Sequence, residues 1–132
     1  MLVSVLRQGD FLIASIHTAL DDEEMVRFQH DVVARIGRER SRGIIIDVAA
    51  LDVLDSFGSR CLRNLAHMAG LRGAETVIVG IQPEVAFAMV QLGTDLEIHT
   101  ALDLEEGLEW LEELTSGLRV GQSSMGVLRD DG

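Results

Sequence analysis

The chain has 132 residues, enough for one domain with one hydrophobic core. Its 22 acidic and 11 basic residues give a net charge of −11, which disfavours binding to nucleic acid and to membranes. Such a charge is explained either by simple solubility or by an acidic face that binds a basic protein. The single cysteine excludes an internal disulfide, and with neither a signal peptide nor an apolar run of roughly 20 residues we expect a cytoplasmic protein.

The first half of the chain predicts two strands, a helix and a third strand. Residues 2–6 and 11–16 are apolar runs joined by a short Gln-Gly-Asp turn, so we expect an antiparallel hairpin. The stretch 19–40 has the spacing of an amphipathic helix, and residues 43–48 are typical of a strand that is buried on both faces. The helix has Met25, Phe28, Val32, Val33 and Ile36 on one face, Asp21 or Asp22 as its cap and Gly43 as its stop signal.

The second half continues the alternation of helices and strands. It predicts a helix at about 56–70, a strand at 76–81, a short helix from Pro83 to Gly93, a short strand at 96–100 and a closing helix at 103–114. The apolar faces comprise Phe57, Cys61, Leu65 and Met68 in the first of these helices and Leu104, Leu108 and Leu111 in the last, which Asp103 caps. Residues 117–132 are rich in glycine, serine and charge, and predict a flexible tail after a domain at 1–116.

This order of elements predicts an α/β fold. We expect a mixed, mostly parallel sheet of four to five strands, flanked by about four helices, because only the first two strands are joined by a hairpin turn.

The sequence contains no pattern that predicts an enzyme, a metal site or a cofactor. No two of the four histidines (His17, His30, His67 and His99) are three or four residues apart, so no helical zinc pair is present. The segment GLRGAE at 70–75 follows a helix instead of opening one, which predicts a helix end and a turn rather than a nucleotide site. Cys61 lies on an apolar helical stripe and is expected in the core rather than as a nucleophile.

The segment LDVLDSFGSR at 51–60 stands where a strand gives way to a helix. Ser56 there is predicted to be a helix N-cap, and the same position suits a phosphorylated serine because the helix dipole and the unpaired N–H groups stabilise an anion. Asp47, Asp52 and Asp55 would oppose the added charge. Gly58 weakens the first helical turn, which either a close approach of a partner backbone or a loose helix start would explain.

The stretch GIIIDVAALDVLDSFGSR resembles the phosphorylation segment of STAS domains, the domains of sulfate transporters and anti-sigma-factor antagonists. That pattern has a strand ending in Asp and then a turn with Asp, Ser and Gly opening a helix, onto which Asp47, Asp55, Ser56 and Gly58 fall. The segments LIASIHTALDD, TVIVGIQPEVAFAMVQLG and TALDLEEGLEWL resemble the RsbS-type branch, the scaffold antagonists of stressosomes, over nearly all of residues 1–115.

The resemblance implies a function and partners. RsbS-type proteins assemble with RsbR-type sensors and sequester an RsbT-type serine/threonine kinase, which leaves after phosphorylating the scaffold; a phosphatase resets the system in this general stress response. In that branch the modified serine follows the aspartate, which corresponds to Ser56, whereas the second serine of the simple antagonists is replaced by Phe57. Ser59 is a further acceptor that ranks below Ser56, and Asp47, Asp52, Asp55, Phe57 and Gly58 are expected around the site and at the partner interface.

Two other functions remain as alternatives at this point. One is a free anti-anti-sigma factor that binds an anti-sigma kinase directly. The other is a small serine hydrolase with Ser56 as nucleophile, although DSFGS is not the GxSxG elbow of such enzymes and no base stands near it in sequence.

Overall fold

The computed structural model of the chain describes residues 2–93 and 96–124, and side chains up to residue 116. Its strands are β1 (Val3–Gln8), β2 (Phe11–Ile16), β3 (Gly43–Asp47), β4 (Glu75–Val79) and β5 (His99–Ala101). Its helices are α1 (Asp22–Glu39), α2 (Ser56–Leu71), α3 (Pro83–Leu92) and α4 (Leu104–Ser124). Among the described residues, none of these helices combines the length and the apolar character that a membrane crossing requires.

The strands form one sheet in the order β1-β2-β3-β4-β5. Strands β1 and β2 are antiparallel and the other three pairs are parallel, which confirms the predicted mixed sheet. Helices α1, α2 and α3 connect neighbouring parallel strands, and because such crossovers share one hand they lie on one face. Helix α4 follows the last strand and covers the other face, where its residues contact β3, β4 and β5.

Strand β3 separates the two layers of the core. Ile44 and Ile46 belong to the larger cluster beneath α1, α2 and α3, whereas Ile45 belongs to the smaller cluster beneath α4. All three side chains have no exposed surface, so β3 is buried on both faces as its uniformly apolar sequence predicts. Helix α4 contributes Leu111 to the smaller cluster, whereas Leu108 is half-buried and Leu104 is exposed, so the prediction that Leu104 faces inward is wrong.

The ends of the helices differ from the predictions in part. Asp21 caps α1, with its carboxylate accepting from the Glu24 N–H at 2.8 Å while the Glu24 carboxylate accepts from the Asp21 N–H at 2.9 Å. Gly43 is not the stop signal of α1, because Arg40 takes the left-handed position after the helix with φ 53°. Gly43 instead opens β3, where an added Cβ would lie 3.0 Å from the side chain of Leu111.

The later helices follow their sequence signals more closely. Pro83 begins α3 and Gly93 ends it in the left-handed conformation, as predicted. The Asp103 carboxylate accepts from the Glu106 N–H at 2.9 Å and so caps α4. The backbone of α4 continues through Ser124, into the predicted flexible tail, and residues 125–132 lie outside the described part of the chain, so the tail stays a prediction.

Strand β1 forms one edge of the sheet. The Leu2 carbonyl accepts from the His17 N–H, which lies just beyond the end of β2. Because alternate residues of an antiparallel strand bond to the same neighbour, the backbone groups of Val3, Val5 and Arg7 point away from β2, toward the outside of the sheet. The Arg35 guanidinium reaches over from α1 and donates to the Val5 carbonyl at 3.0 Å. Helix α1 therefore occupies part of this edge with a side chain.

We predict that Asp21→Ala lowers the free energy of unfolding by about 1 kcal/mol, because the first turn of α1 then loses its capping carboxylate. Asp22→Ala is the matched control, since it removes the same charge from the neighbouring residue and leaves the cap in place. Urea denaturation of both variants and the parent measures the difference. Equal losses in the two variants would show that charge rather than capping matters at this helix start.

Candidate functional site

The candidate site lies at the carboxyl end of β3, in the loop of residues 48–55 and the first turn of α2. This edge of a parallel sheet is where α/β folds commonly bind ligands and partners. The Asp47 carboxylate accepts from the Ala49 N–H at 2.9 Å, which bends the chain sharply as it leaves β3. The Val48 N–H donates to the Val79 carbonyl at 3.1 Å, and so the loop begins against the end of β4.

A second loop supports the first. The side-chain amide of Gln82 donates to the Ala49 carbonyl at 2.8 Å, and Gly80 adopts φ 80° directly beside Ala49. A Cβ at Gly80 would lie 2.9 Å from the Cβ of Ala49, closer than side chains approach one another. The β4–α3 loop therefore packs directly against the loop that carries the site and fixes its course.

Asp55, and not Ser56, is the N-cap of α2. The Asp55 carboxylate accepts from the Gly58 N–H at 2.8 Å, and the Asp55 carbonyl accepts from the Ser59 N–H at 2.9 Å. Ser56 is the first helical residue and is exposed. The prediction that Ser56 caps the helix is therefore wrong, because the helix starts one residue earlier than that role requires and aspartate caps as well as serine. Ser56 is exposed, and the capping hydrogen bond is made by Asp55 instead of by the Ser56 hydroxyl.

The residues after Ser56 divide between the core and the surface. Phe57 is half-buried and packs against the larger core cluster. The Arg60 guanidinium carbon lies 5.7 Å from the centre of the Phe57 ring, a cation–π contact on the outside of the helix. A positive group thus lies one helical turn beyond Ser56, a neighbour that the spacing of four residues indicates but that sequence reasoning overlooked.

Internal packing explains Gly58. It is buried, and an added Cβ would lie 3.0 Å from Leu54 Cδ1 and 3.3 Å from Met25 Cε. The glycine therefore allows α1 and the loop to approach α2 closely. The two explanations predicted from the sequence, a partner backbone and a loose helix start, do not include this internal packing. Ser59 is only 2% exposed and its hydroxyl has no hydrogen-bond partner among the described residues. A modifying enzyme cannot reach Ser59 in the folded chain.

The surface beside Ser56 combines apolar and acidic groups. Asp52 and Asp55 are exposed and Asp47 is half-buried, and all three lie at the end of β3 or in the loop that leads to Ser56. A small pit of about 40 Å³ lies between α1 and the loop, and its apolar lining includes Leu51, Val53, Leu54, Met25 and Phe57. Val53, which belongs to this lining, is 62% exposed and extends the apolar surface beyond the pit.

Cys61 and three of the histidines have surroundings of their own in the fold. Cys61 is buried in the larger core, as predicted, and burial raises the pKa of its thiol, which keeps it neutral and unreactive. His67 is three turns further along α2, about 16 Å from Ser56 by helical rise. His17 pairs with the Ser4 hydroxyl at 2.9 Å, and His99 stacks on Trp110. Within the described residues, no group of three or more His, Cys, Asp or Glu side chains is arranged to hold a metal ion.

Comparison with known proteins places this geometry in a family. Residues 3–107 match the model of the STAS domain. The RsbT co-antagonist protein RsbRA of Bacillus subtilis (strain 168) is 28% identical over 97 residues, which are 73% of this chain. They are 35% of RsbRA, so the chain spans about a third of the length of that relative.

Solved structures give the same result. A Moorella thermoacetica RsbS with one serine-to-glutamate substitution is 32% identical, with a TM-score of 0.75 and coverage of 86% of this chain and 97% of that one. A chain from the stressosome, which is described as a signal integration and transduction hub, is 30% identical with a TM-score of 0.68. That match covers 85% of this chain and 98% of the stressosome chain.

We predict that Asp55→Ala lowers the free energy of unfolding by about 1 kcal/mol, whereas Ser56→Ala changes it by less than about 0.5 kcal/mol. The reason is that the Asp55 carboxylate, and not the Ser56 hydroxyl, bonds the first turn of α2. Asp55→Asn is the control that keeps a capping oxygen without the charge. The three variants are compared by urea denaturation, and a larger loss for Ser56→Ala than for Asp55→Ala would contradict the assignment.

Proposed function

Because this chain belongs to the STAS domain family, we propose that it is a phosphorylation-switched scaffold of a stressosome and has no catalytic activity of its own. In this function it sequesters an RsbT-type serine/threonine kinase and releases it after phosphorylation at Ser56, as part of a general stress response. An RsbR-type protein is its co-scaffold in a cytoplasmic complex, and a phosphatase resets it. The observation that carries the proposal is the exposed Ser56, next to the cap Asp55, in a chain 32% identical to RsbS.

The position of Ser56 supports its role as phosphate acceptor. It is exposed at the first position of α2, where the helix dipole and the first N–H groups favour an anion. A phosphate adds about −1.5 to −2 charges at neutral pH and three acceptor oxygens. Since Asp55 already caps the helix, the Ser56 hydroxyl can be modified without loss of a structural bond. Ser59 offers no competing acceptor while the chain is folded, because it is buried.

The surface around Ser56 supports capture of a protein partner. The pit, the exposed Val53 and the half-buried Phe57 give an apolar centre, and Asp52 and Asp55 give a charged rim. Protein interfaces combine an apolar centre and a polar rim in this way. The loop is held in place by Gln82 and Gly80, so this surface is formed before a partner arrives.

Assembly with related chains has separate support. Helix α3 exposes three large apolar side chains, with 66% of Phe87, 79% of Val90 and 69% of Leu92 accessible. Phe87 and Val90 are three residues apart and share one face of the helix, and exposed apolar surface of this kind is often buried in complexes. The likeness to a stressosome chain and to the RsbT co-antagonist RsbRA is the basis for proposing an RsbR-type protein as co-scaffold.

The geometry does not favour a serine hydrolase. Ser56 would need a base within hydrogen-bond reach, whereas His17 and His99 are engaged with other side chains and His67 lies on a distant turn. For a free anti-anti-sigma factor, the discriminating measurement is the size of the complex with an RsbR-type protein. A very large particle supports the scaffold, and a small complex supports the free antagonist.

We predict that the cognate RsbT-type kinase adds one phosphoryl group to the parent chain and none to Ser56→Ala. Ser59→Ala is the control and should gain the group like the parent, because Ser59 is buried. Intact-mass spectrometry before and after incubation with kinase and ATP gives the result. Failure of the kinase both to bind and to modify the parent chain would overturn the proposed function.

We predict that Ser56→Asp weakens kinase capture roughly tenfold, which corresponds to about 1.4 kcal/mol, through added charge and lost fit. Ser56→Asn has nearly the same shape without the charge and separates these two causes. Both affinities are measured by calorimetric titration. Unchanged affinity in Ser56→Asp would exclude the charge mechanism, and fold damage is not expected at this exposed position.

A further inference from the structure

We propose that a phosphate on Ser56 binds the Arg60 side chain of the same helix. In the unmodified chain Arg60 contacts an acidic group of the captured kinase, and the phosphate draws Arg60 away from that contact. This inference rests on the proposed function and specifies how its switch acts. Its elements are Ser56, Arg60 and the Phe57 ring on which Arg60 lies.

The spacing brings the two side chains together. Ser56 and Arg60 are four residues apart in α2, so they lie one above the other on the same face, with Cβ atoms about 6 Å apart. Both are exposed, and the long arginine side chain reaches the first turn without a change of backbone. Arg63 lies seven residues from Ser56, a further helical turn away.

Arg60 is weakly held in the unmodified chain. Its guanidinium contacts the face of Phe57 at 5.7 Å, an exposed cation–π contact. The ion pairs found among the described residues join Arg7 and Arg35 to Glu39 and do not include Arg60. The nearest carboxylate in sequence, that of Asp55, is directed to the Gly58 N–H. Arg60 is therefore available to whichever acidic group comes within reach.

A phosphate on Ser56 is a stronger ligand for this guanidinium than the Phe57 ring or a carboxylate of a partner. Phosphate oxygens accept two parallel bonds from arginine, and the dianion carries more charge than a carboxylate. It also has the advantage of proximity, because it is attached to the same helix and pays no cost of association. Phosphorylation should thus move Arg60 from Phe57 to Ser56.

The direction of the switch follows from the charges around the site. Asp52 and Asp55 are exposed there, so a partner bound only through basic groups would be held more tightly by an added phosphate. Release that acts through charge, apart from any loss of fit, therefore requires the loss of a favourable electrostatic contact. Arg60 is the positive group that a phosphate on Ser56 can neutralise, and its loss removes the contact for an acidic group of the kinase.

The first test needs no kinase. Phosphoserine is installed at position 56 during translation, and its second ionisation is followed by ³¹P NMR. Arg60→Gln should raise the pKa of this second ionisation above that of the parent sequence by about 0.3 unit, as expected for an exposed pair four residues apart. Arg38→Gln is the control, because Arg38 is exposed in the last turn of α1 and should have no effect. Equal titrations in the parent and Arg60→Gln overturn the phosphate–Arg60 pair.

The second test is a double-mutant cycle on kinase capture. Arg60→Gln alone should weaken binding of the unmodified chain several-fold, and the further loss caused by Ser56→Asp should then be smaller than in the parent. Additive losses, or unchanged binding in Arg60→Gln, overturn the shared contact. Absence of binding by every variant refutes the proposed function instead, while the NMR titration still decides whether phosphate and Arg60 pair.

Discussion

The burial of β3 on both faces is the constraint on which the rest of the structure depends. Ile44, Ile45 and Ile46 are fully enclosed between two layers of helices, so this strand has one register and one position in the sheet. Its carboxyl end is fixed in consequence, and with it Asp47 and the loop that leads to α2. A shift of one residue in register would turn the side chains of β3 to the opposite faces and displace the loop that precedes Ser56.

The division of tasks between neighbouring residues makes Ser56 suitable for reversible modification. Asp55 bonds the first turn of α2, Gly58 admits the helix to the core, and Phe57 anchors the turn from one side. Ser56 does none of these, although it stands among them. Chemistry on its hydroxyl therefore alters charge and contacts at the surface and leaves the free energy of folding nearly unchanged, as a switch that is set and reset repeatedly requires.

Features that depend on local chemistry could be predicted from the sequence. The hairpin, the enclosed strand β3 and the Pro83–Gly93 limits of α3 are predictable and confirmed, because turn residues, periodicity and caps act over a few residues. The cap of α2 is not predictable in this way. The residue at which the helix starts depends on the course of the preceding loop, and Gln82, 33 residues after Ala49 in the sequence, holds that loop through its hydrogen bond to the Ala49 carbonyl. The roles of Gly58 and Gly43 could not be predicted for the same reason, since the packing of α1 on α2 and the path into β3 are not local properties.

The Arg35 side chain has a consequence for how copies of this fold combine. By bonding the outward Val5 carbonyl it obstructs the free side of β1, so another chain cannot add a strand there without displacing the guanidinium. Extension of a sheet from copy to copy has no natural limit and leads to fibres. Contacts through other surfaces avoid that outcome where their symmetry is closed, because closed symmetry gives particles of finite size.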